Sequence, residues 1–185
     1  MRTNYKIHLS NIIFLLIIFL FQNCTSNQAS MVDYTQLKMK QIGDSKVAHL
    51  NGEKYTGQAN YTLSSGVLQF KYTYKDGLQH GPYETYFGNG NKQKEGTYNY
   101  GKQHGEYKEY YESGPLKYWY NWDNEKKTGE WKSFYQNGGK WTLRNFQNDK
   151  LNGKLYVWDE QGRLGKEQTY VNGVQTEKIN HFEDF

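Results

Sequence analysis

Three groups of residues in this chain have types and spacing that could do chemistry. His80 and His104 lie 24 residues apart, each directly before a glycine. Two imidazoles in register raise the idea of a metal pair, but both ligands must approach one ion to about 2.0–2.1 Å. If they sit in neighbouring two-stranded units they are two strand spacings apart, roughly 9.5–10 Å. A turn hydrogen bond beside the glycine is the better expectation for each, and no metal or other cofactor is expected. The acids Glu84, Glu95, Glu106, Glu109, Glu112, Glu125 and Glu130 are numerous but scattered. A glycan-processing pair needs carboxyl groups roughly 5–9.5 Å apart across a cleft, with pKa values pushed apart. An even repeat surface supplies such distances by accident, and Glu106 and Glu130 are repeat equivalents. There is no Gly-x-Ser-x-Gly, phosphate-binding loop, dinucleotide fingerprint or His-Glu-x-x-His. The third group is a column of rings, Tyr86, Tyr110, Phe134 and Trp158, at the same 24-residue step. On an outward sheet face these would recur about every 10 Å with Lys and Glu between them. Such a ladder could stack on sugars or grip an extended partner. The same rings could instead only stabilise the sheet, at roughly 0.2–1 kcal/mol per cross-strand pair.

The elements that position these residues are set by a repeat. Gly57, Gly81, Gly105, Gly129 and Gly153 are spaced by 24, as are Gly66, Gly90, Gly114, Gly138 and Gly162. A third set, Gly77, Gly101 and Gly173, has Glu125 and Asp149 in its two missing places. A fixed period of this size means a repeat architecture. Aromatic columns keep the same step: Tyr83, Tyr107 and Trp131 in one, and Tyr74, Tyr98, Trp122, Phe146 and Tyr170 in another. Five full units span 57–176. A shortened leading unit is expected over 33–56 and a terminal half-unit over 177–185, since end units of a stack must cap it.

Each unit has turn signals at two places. One is the dipeptide ending in the second glycine, as in Asn89-Gly90 and Asn137-Gly138. The other is the stretch opened by Asp76-Gly77 or Gly101. With a two-residue loop at the first place, Tyr107, Glu109 and Tyr111 share a face with Leu116, Tyr118, Tyr120 and Trp122. The opposite face carries Lys108, Tyr110, Lys117, Trp119 and Asn121. The expected fold is therefore all-β: a long antiparallel meander of hairpins, elongated and twisted or half-rolled around a Tyr/Trp interior. Composition agrees. Mean hydropathy is −1.01, yet 5 Trp, 18 Tyr and 9 Phe exceed what a disordered chain carries.

The first residues read as an address. Arg2 and Lys6 precede an unbroken apolar run at 12–21, which is short for a membrane span of roughly 20 residues. Cys24, the sole cysteine, follows it, which excludes an intrachain disulfide and a cysteine-based zinc site. Residues 1–23 are read as a signal peptide forming a helix, and 24–32 as a flexible tether. Removing 1–23 leaves 21 basic against 19 acidic residues, a net charge of +2. No basic block supports nucleic-acid binding or direct lipid binding by the repeats.

Two resemblances add to this. The segment ending at Cys24 resembles a bacterial lipoprotein signal, which implies that Cys24 is the lipidated first residue of the mature chain. Gln22 and Asn23 stand where small residues are usual in that family. The unit running from Tyr98 through Gly101, His104 and Gly105 to Tyr107, Tyr110, Tyr111 and Gly114 resembles the MORN-repeat variant, and the likeness covers about 57–176. That resemblance implies hairpin stacks acting as scaffolds or binding surfaces. The resulting expectation is a non-catalytic, envelope-anchored lipoprotein that presents its β surface to an envelope protein or a glycan. The alternatives are an antitoxin or immunity-type inhibitor of a toxin partner and, more remotely, a glycan-processing enzyme.

Overall fold

The computed structural model describes residues 31–182. The expected signal helix, Cys24 and the first part of the tether lie outside the described residues, as do the last three residues of the terminal half-unit. The repeat region forms one meander: β5 (Gly57–Thr62), β6 (Leu68–Lys75), β7 (Leu78–Tyr86), β8 (Lys92–Asn99), β9 (Lys102–Tyr110), β10 (Leu116–Asp123), β11 (Lys126–Phe134), β12 (Lys140–Gln147), β13 (Lys150–Leu151), β14 (Gly153–Trp158), β15 (Leu164–Val171) and β16 (Val174–Asn180). Each strand neighbours the next in the chain, except that the short β13 pairs only with β12 beside β14. β1 (Met31–Asp33) joins parallel to β5, which makes a sheet of 13 strands. Among the described residues the single helical turn is a 3-10 turn at Tyr34–Gln36.

The two kinds of turn divide the labour differently from the sequence expectation. The two-residue primed turns lie at the Asp76-Gly77 boundary and its equivalents. There both central residues have positive φ: Asp76 +52° and Gly77 +81°, Tyr100 +45° and Gly101 +85°, Asn124 +47° and Glu125 +72°. This conformation matches the right-handed twist of the flanking strands. At the Asn-Gly places the loop has three residues instead of two. Phe87 N–H donates to Asn91 O (2.8 Å) and Gly90 N–H to Phe87 O (2.9 Å), and Gly90 alone carries positive φ, +87°. The Asn89 side chain caps that loop by accepting from Asn91 N–H at 2.9 Å. The longer loop exchanges the faces only at the hairpin tip, for Leu116 and Lys117, because a bulge follows it. Tyr110 pairs with Leu116, but Glu109 pairs with Tyr118 and Tyr107 with Tyr120. The same one-residue shift recurs in the equivalent hairpins. The strand bodies therefore keep the expected register, and the aromatic face is continuous.

The primed turns are also tied to one another along one edge. Gly77 N–H donates to Tyr55 O, Gly101 to Gln79, Glu125 to Gln103, Asp149 to Lys127 and Gly173 to Leu151, at 2.7–3.1 Å. Each such bond joins a turn to the residue just past the preceding turn. The same 22-residue span recurs in every one of these bonds, so this edge keeps one register from unit to unit.

Residues 38–54 form hairpins of their own but do not extend the meander. β2 (Lys38–Ile42), β3 (Ser45–Leu50) and β4 (Glu53–Lys54) make a separate three-stranded sheet. This sheet lies against the start of the aromatic face. Leu37, Ala48, Tyr55, Ala59 and Tyr74 bury one another there, with Val32, Tyr34, Leu50 and Tyr72 packed around them. Ala48 N–H donates to Gly77 O, which locks β3 to the first primed turn.

Candidate functional site

The aromatic face is built by strand alternation. Cross-strand neighbours place Ala59, Tyr72, Tyr83 and Gly96 in one row, and Gly96 faces Tyr107, which faces Tyr120. The rings touch in sequence. Tyr72 stacks on Tyr83 (5.6 Å) and Tyr83 meets Tyr98 (4.8 Å). Tyr107 stacks on Tyr120 (5.8 Å), Tyr120 on Trp131 (4.1 Å), and Trp131 meets Phe146 (5.1 Å). Gly96 leaves a gap in the row which the Tyr83 ring fills, since a methyl there would stand 2.9 Å from Tyr83 Cε1. Burial raises the Tyr83 and Tyr120 hydroxyls well above the usual tyrosine range, so they remain neutral hydrogen-bonding groups.

This face is only partly covered. The N-terminal sheet shields its first strands, and two clefts share Tyr72, the first between that sheet and the rings and the second beyond it. One, of about 620 Å³, runs between Tyr34, Lys46, Tyr74, Leu78 and Tyr100. The next, of about 390 Å³, is floored by Tyr83, Tyr98, Tyr107, Tyr120 and Trp122 and rimmed by Thr85, Gln93, Lys94 and Gln103. Sequence reasoning placed these rings in an interior. Their assembly into a face was legible from the period of two. That one N-terminal sheet would cover only the beginning of it was not.

The opposite face holds the predicted ladder. Tyr86, Tyr110, Phe134 and Trp158 are all half-buried there. Tyr86 O–H donates to Glu84 Oε2 and Tyr110 O–H to Glu95 Oε1, both at 2.6 Å. Trp158 meets Tyr156 at 5.5 Å and lies under Lys140 Nζ at 5.8 Å. The backbone carbonyls of Phe134 and Trp158 accept from Tyr111 and Tyr135 hydroxyls at 2.9 and 2.8 Å. The ladder thus exists as a column, and its first two hydroxyls already have partners.

Those partners form a charge cluster that the sequence reading left as scattered acids. Glu84 and Glu95 stand directly opposite each other on β7 and β8. Lys92 Nζ lies between them, 2.7 Å from each carboxylate. Lys71 reaches Glu84 at 3.4 Å and Lys108 reaches Glu95 at 4.0 Å. Glu84, Glu95, Lys71 and Lys108 line a cleft of about 510 Å³ with Gln58, Pro82 and Thr97. The hydrogen bonds from Lys92 and Tyr86 hold Glu84 down to about 2. At Glu95 burial works the other way, but the bonds from Lys92 and Tyr110 win and its carboxyl is also held below the usual range. An acid pair in a cleft is therefore present. Glycoside hydrolysis needs one carboxyl kept protonated near neutral pH, and here both are kept ionised by a shared ammonium.

His80 and His104 lie near the starts of β7 and β9, each beside a primed turn. His80 Nδ1 accepts from Tyr100 N–H at 3.3 Å, and its ring lies 4.4 Å from the Tyr100 ring. His104 Nδ1 sits 3.5 Å from Asp123 Oδ1. Thr56 and Asn152, the same position in other units, accept from Asp76 and Asn172 N–H. At Thr56, His80 and Asn152 the position is thus a side-chain acceptor for the primed turn that follows. Among the described residues no cluster of three metal-ligating side chains occurs. Cys24 lies outside the described residues.

The comparisons with known proteins bear on the hairpin unit. No curated protein matches the chain. The family model described as MORN repeat variant matches residues 79–100, 103–124 and 127–148. Each matched stretch runs from just after one primed turn to the next, so it is one hairpin, β7–β8, β9–β10 or β11–β12, with the three-residue loop at its tip. The bulged hairpin, the glycine at its loop and the tied turns are the physical content of that unit, and residues 79–148 of this chain are three consecutive MORN-variant repeats.

Proposed function

We propose that this protein is a non-catalytic binding or scaffold lipoprotein, held in the cell envelope through lipid on Cys24, that presents its repeat sheet to an envelope protein or a glycan. One observation carries the binding part: a strip of rings from Tyr72 to Trp122 that the N-terminal sheet leaves open, rimmed by Thr85, Gln93, Lys94 and Gln103. Flat rings bordered by hydrogen-bonding groups suit a partner that is partly apolar and partly wet. The Tyr86, Tyr110, Phe134 and Trp158 column is the second surface, better suited to an extended partner because Lys and Glu flank it. Against glycoside hydrolysis at the Glu84–Glu95 cleft stands the Lys92 bridge, which favours the ionised form of both carboxyls.

Two experiments test the reading separately. Fractionation and metabolic lipid labelling of cells expressing the full chain and a Cys24→Ser variant test the anchor. The expected result is labelled, membrane-bound protein that becomes unlabelled on substitution; unlabelled cytosolic wild type would remove the anchor and favour the antitoxin-type reading. Photocrosslinking in the same cells from position 98 in the strip and position 110 in the ladder tests the surface. The strip position should capture a defined envelope protein or glycan, and equal silence at both positions would refute a role for either face.

A further inference from the structure

β16 ends the sheet, and all seven of its residues are exposed. Its inner side is occupied. Ile179 pairs with Glu167 and Glu177 with Thr169, and His181 N–H donates to Gly165 O at 2.8 Å in the same register. In an antiparallel pair the hydrogen-bonded residues alternate. Residues 177, 179 and 181 therefore direct their backbone groups inward, and Lys178 and Asn180 direct theirs outward. Among the described residues nothing accepts those outward groups. The strand contains no proline, and Val174, Ile179 and Phe182 leave apolar surface there, at 66%, 41% and 42% exposure. Such an edge is a template for another strand. The other edge of the sheet is β1, only three residues long.

We propose that this edge pairs antiparallel with β16 of a second copy, about a two-fold axis at Ile179. The side chains select that register. A two-fold pairing must bring outward residues opposite outward residues, which limits the axis to whole residue positions. An axis at Glu177 sets Glu177 against its own copy, and an axis at Lys178 sets Lys178 against its own copy. Like charges directly opposite destabilise a strand pair. An axis at Ile179 sets isoleucine on isoleucine and Glu177 opposite His181, and it lets Lys178 and Asn180 exchange both backbone hydrogen bonds twice over. Axes further along shorten the overlap. The interface is isologous and closed, so it gives a dimer with one continuous sheet and no open-ended fibre.

The test uses the full chain in a Cys24→Ser background. Ile179→Cys places the two thiols in a non-hydrogen-bonded pair, with Cα atoms about 4.5 Å apart, and mild oxidation should trap a disulfide dimer. Glu177→Cys, two residues off the axis, should crosslink at least tenfold more slowly. Asn180→Pro removes an outward N–H that no intrachain bond uses. It should weaken the dimer at least tenfold in sedimentation velocity while leaving the circular dichroism unchanged. A monomer at about 100 μM would overturn the proposal, as would crosslinking from position 177 as fast as from 179. Position-specific crosslinking also separates this contact from any association through the apolar run at 12–21.

Discussion

Replacing Gly77 by alanine combines two costs that Gly101 separates. Both glycines are the second residue of a primed turn, with φ of +81° and +85°. An L-residue there costs about 1–2 kcal/mol, and that is all Gly101→Ala should lose, since nothing lies within 4 Å of the added methyl. At Gly77 the methyl would stand 2.4 Å from Val47 Cγ1 and 2.9 Å from Ala48 O. Those atoms belong to β3, which is bonded to this turn through Ala48 N–H and Gly77 O at 2.8 Å. Relieving the overlap means moving the backbone of β3, and overpacking of this kind adds about 1–3 kcal/mol. Gly77→Ala should therefore lose about 2–5 kcal/mol. The loss should be local, because β2–β4 can lift from the aromatic face while the later hairpins persist. Hydrogen exchange read residue by residue is the assay. Amides of Ala48, Tyr55 and Gly77 should exchange faster by two to three orders of magnitude, with those of β14 and β15 unchanged. Adding Val47→Ala should restore part of the protection, since it removes the closer contact and leaves Ala48 O. Equal protection in Gly77→Ala and Gly101→Ala would refute the docking geometry. Uniform loss over the whole sheet would refute local unfolding.

Three further outcomes follow from the same structure. Glu125→Gly should stabilise by about 0.5–1 kcal/mol, the left-handed strain relieved less the entropy that glycine adds; Asp149→Gly should gain less, since Asp149 Oδ1 accepts from Lys127 N–H at 2.8 Å, and paired urea melts compare them. Lys92→Met should cost roughly 1–3 kcal/mol by leaving Glu84 and Glu95 facing each other unbridged, and adding Glu84→Gln should recover part of it. Because Glu84 is held down to about 2, its bonds stabilise the fold fully above its ordinary value of 4.5 and the contribution fades as pH falls towards 2; acid titration of stability should lose that component in Lys92→Met. Trp131→Ala should cost about 3–5 kcal/mol, since that indole packs on Tyr120, Trp122 and Phe146 and donates to Asn121 O, whereas the more exposed Trp141→Ala should cost under about 1 kcal/mol by thermal unfolding.

The repeat fixed the hairpin array. Side chains alternate along a strand, and glycine alone tolerates some backbone conformations, so a gapless 24-residue step in Gly and rings dictated two strands and two turns per unit. It also determined which rings share a face, because period two leaves no choice once a register is set. The register survived a wrong loop length only because a bulge beside each three-residue loop restores the count, and that compensation is a matter of backbone geometry that no residue type announces. The primed turns were harder to read: Tyr100 and Glu125 are not turn formers of that kind, and they sit at positive φ with Glu125 N–H bonded to Gln103 O and Tyr100 N–H to His80 Nδ1. Long-range pairing decided what lies across the sheet. Glu84, Lys92 and Glu95 are an ordinary scatter along the chain, and they become one cluster because β7 and β8 set two carboxylates opposite each other and the lysine reaches between them. It likewise decided that residues 38–54 fold back over the first rings instead of extending the meander. That choice leaves the remaining rings open, and it depends on a packing contact between Val47, Ala48 and a glycine nearly thirty residues away, a long-range term that local sequence pattern does not carry.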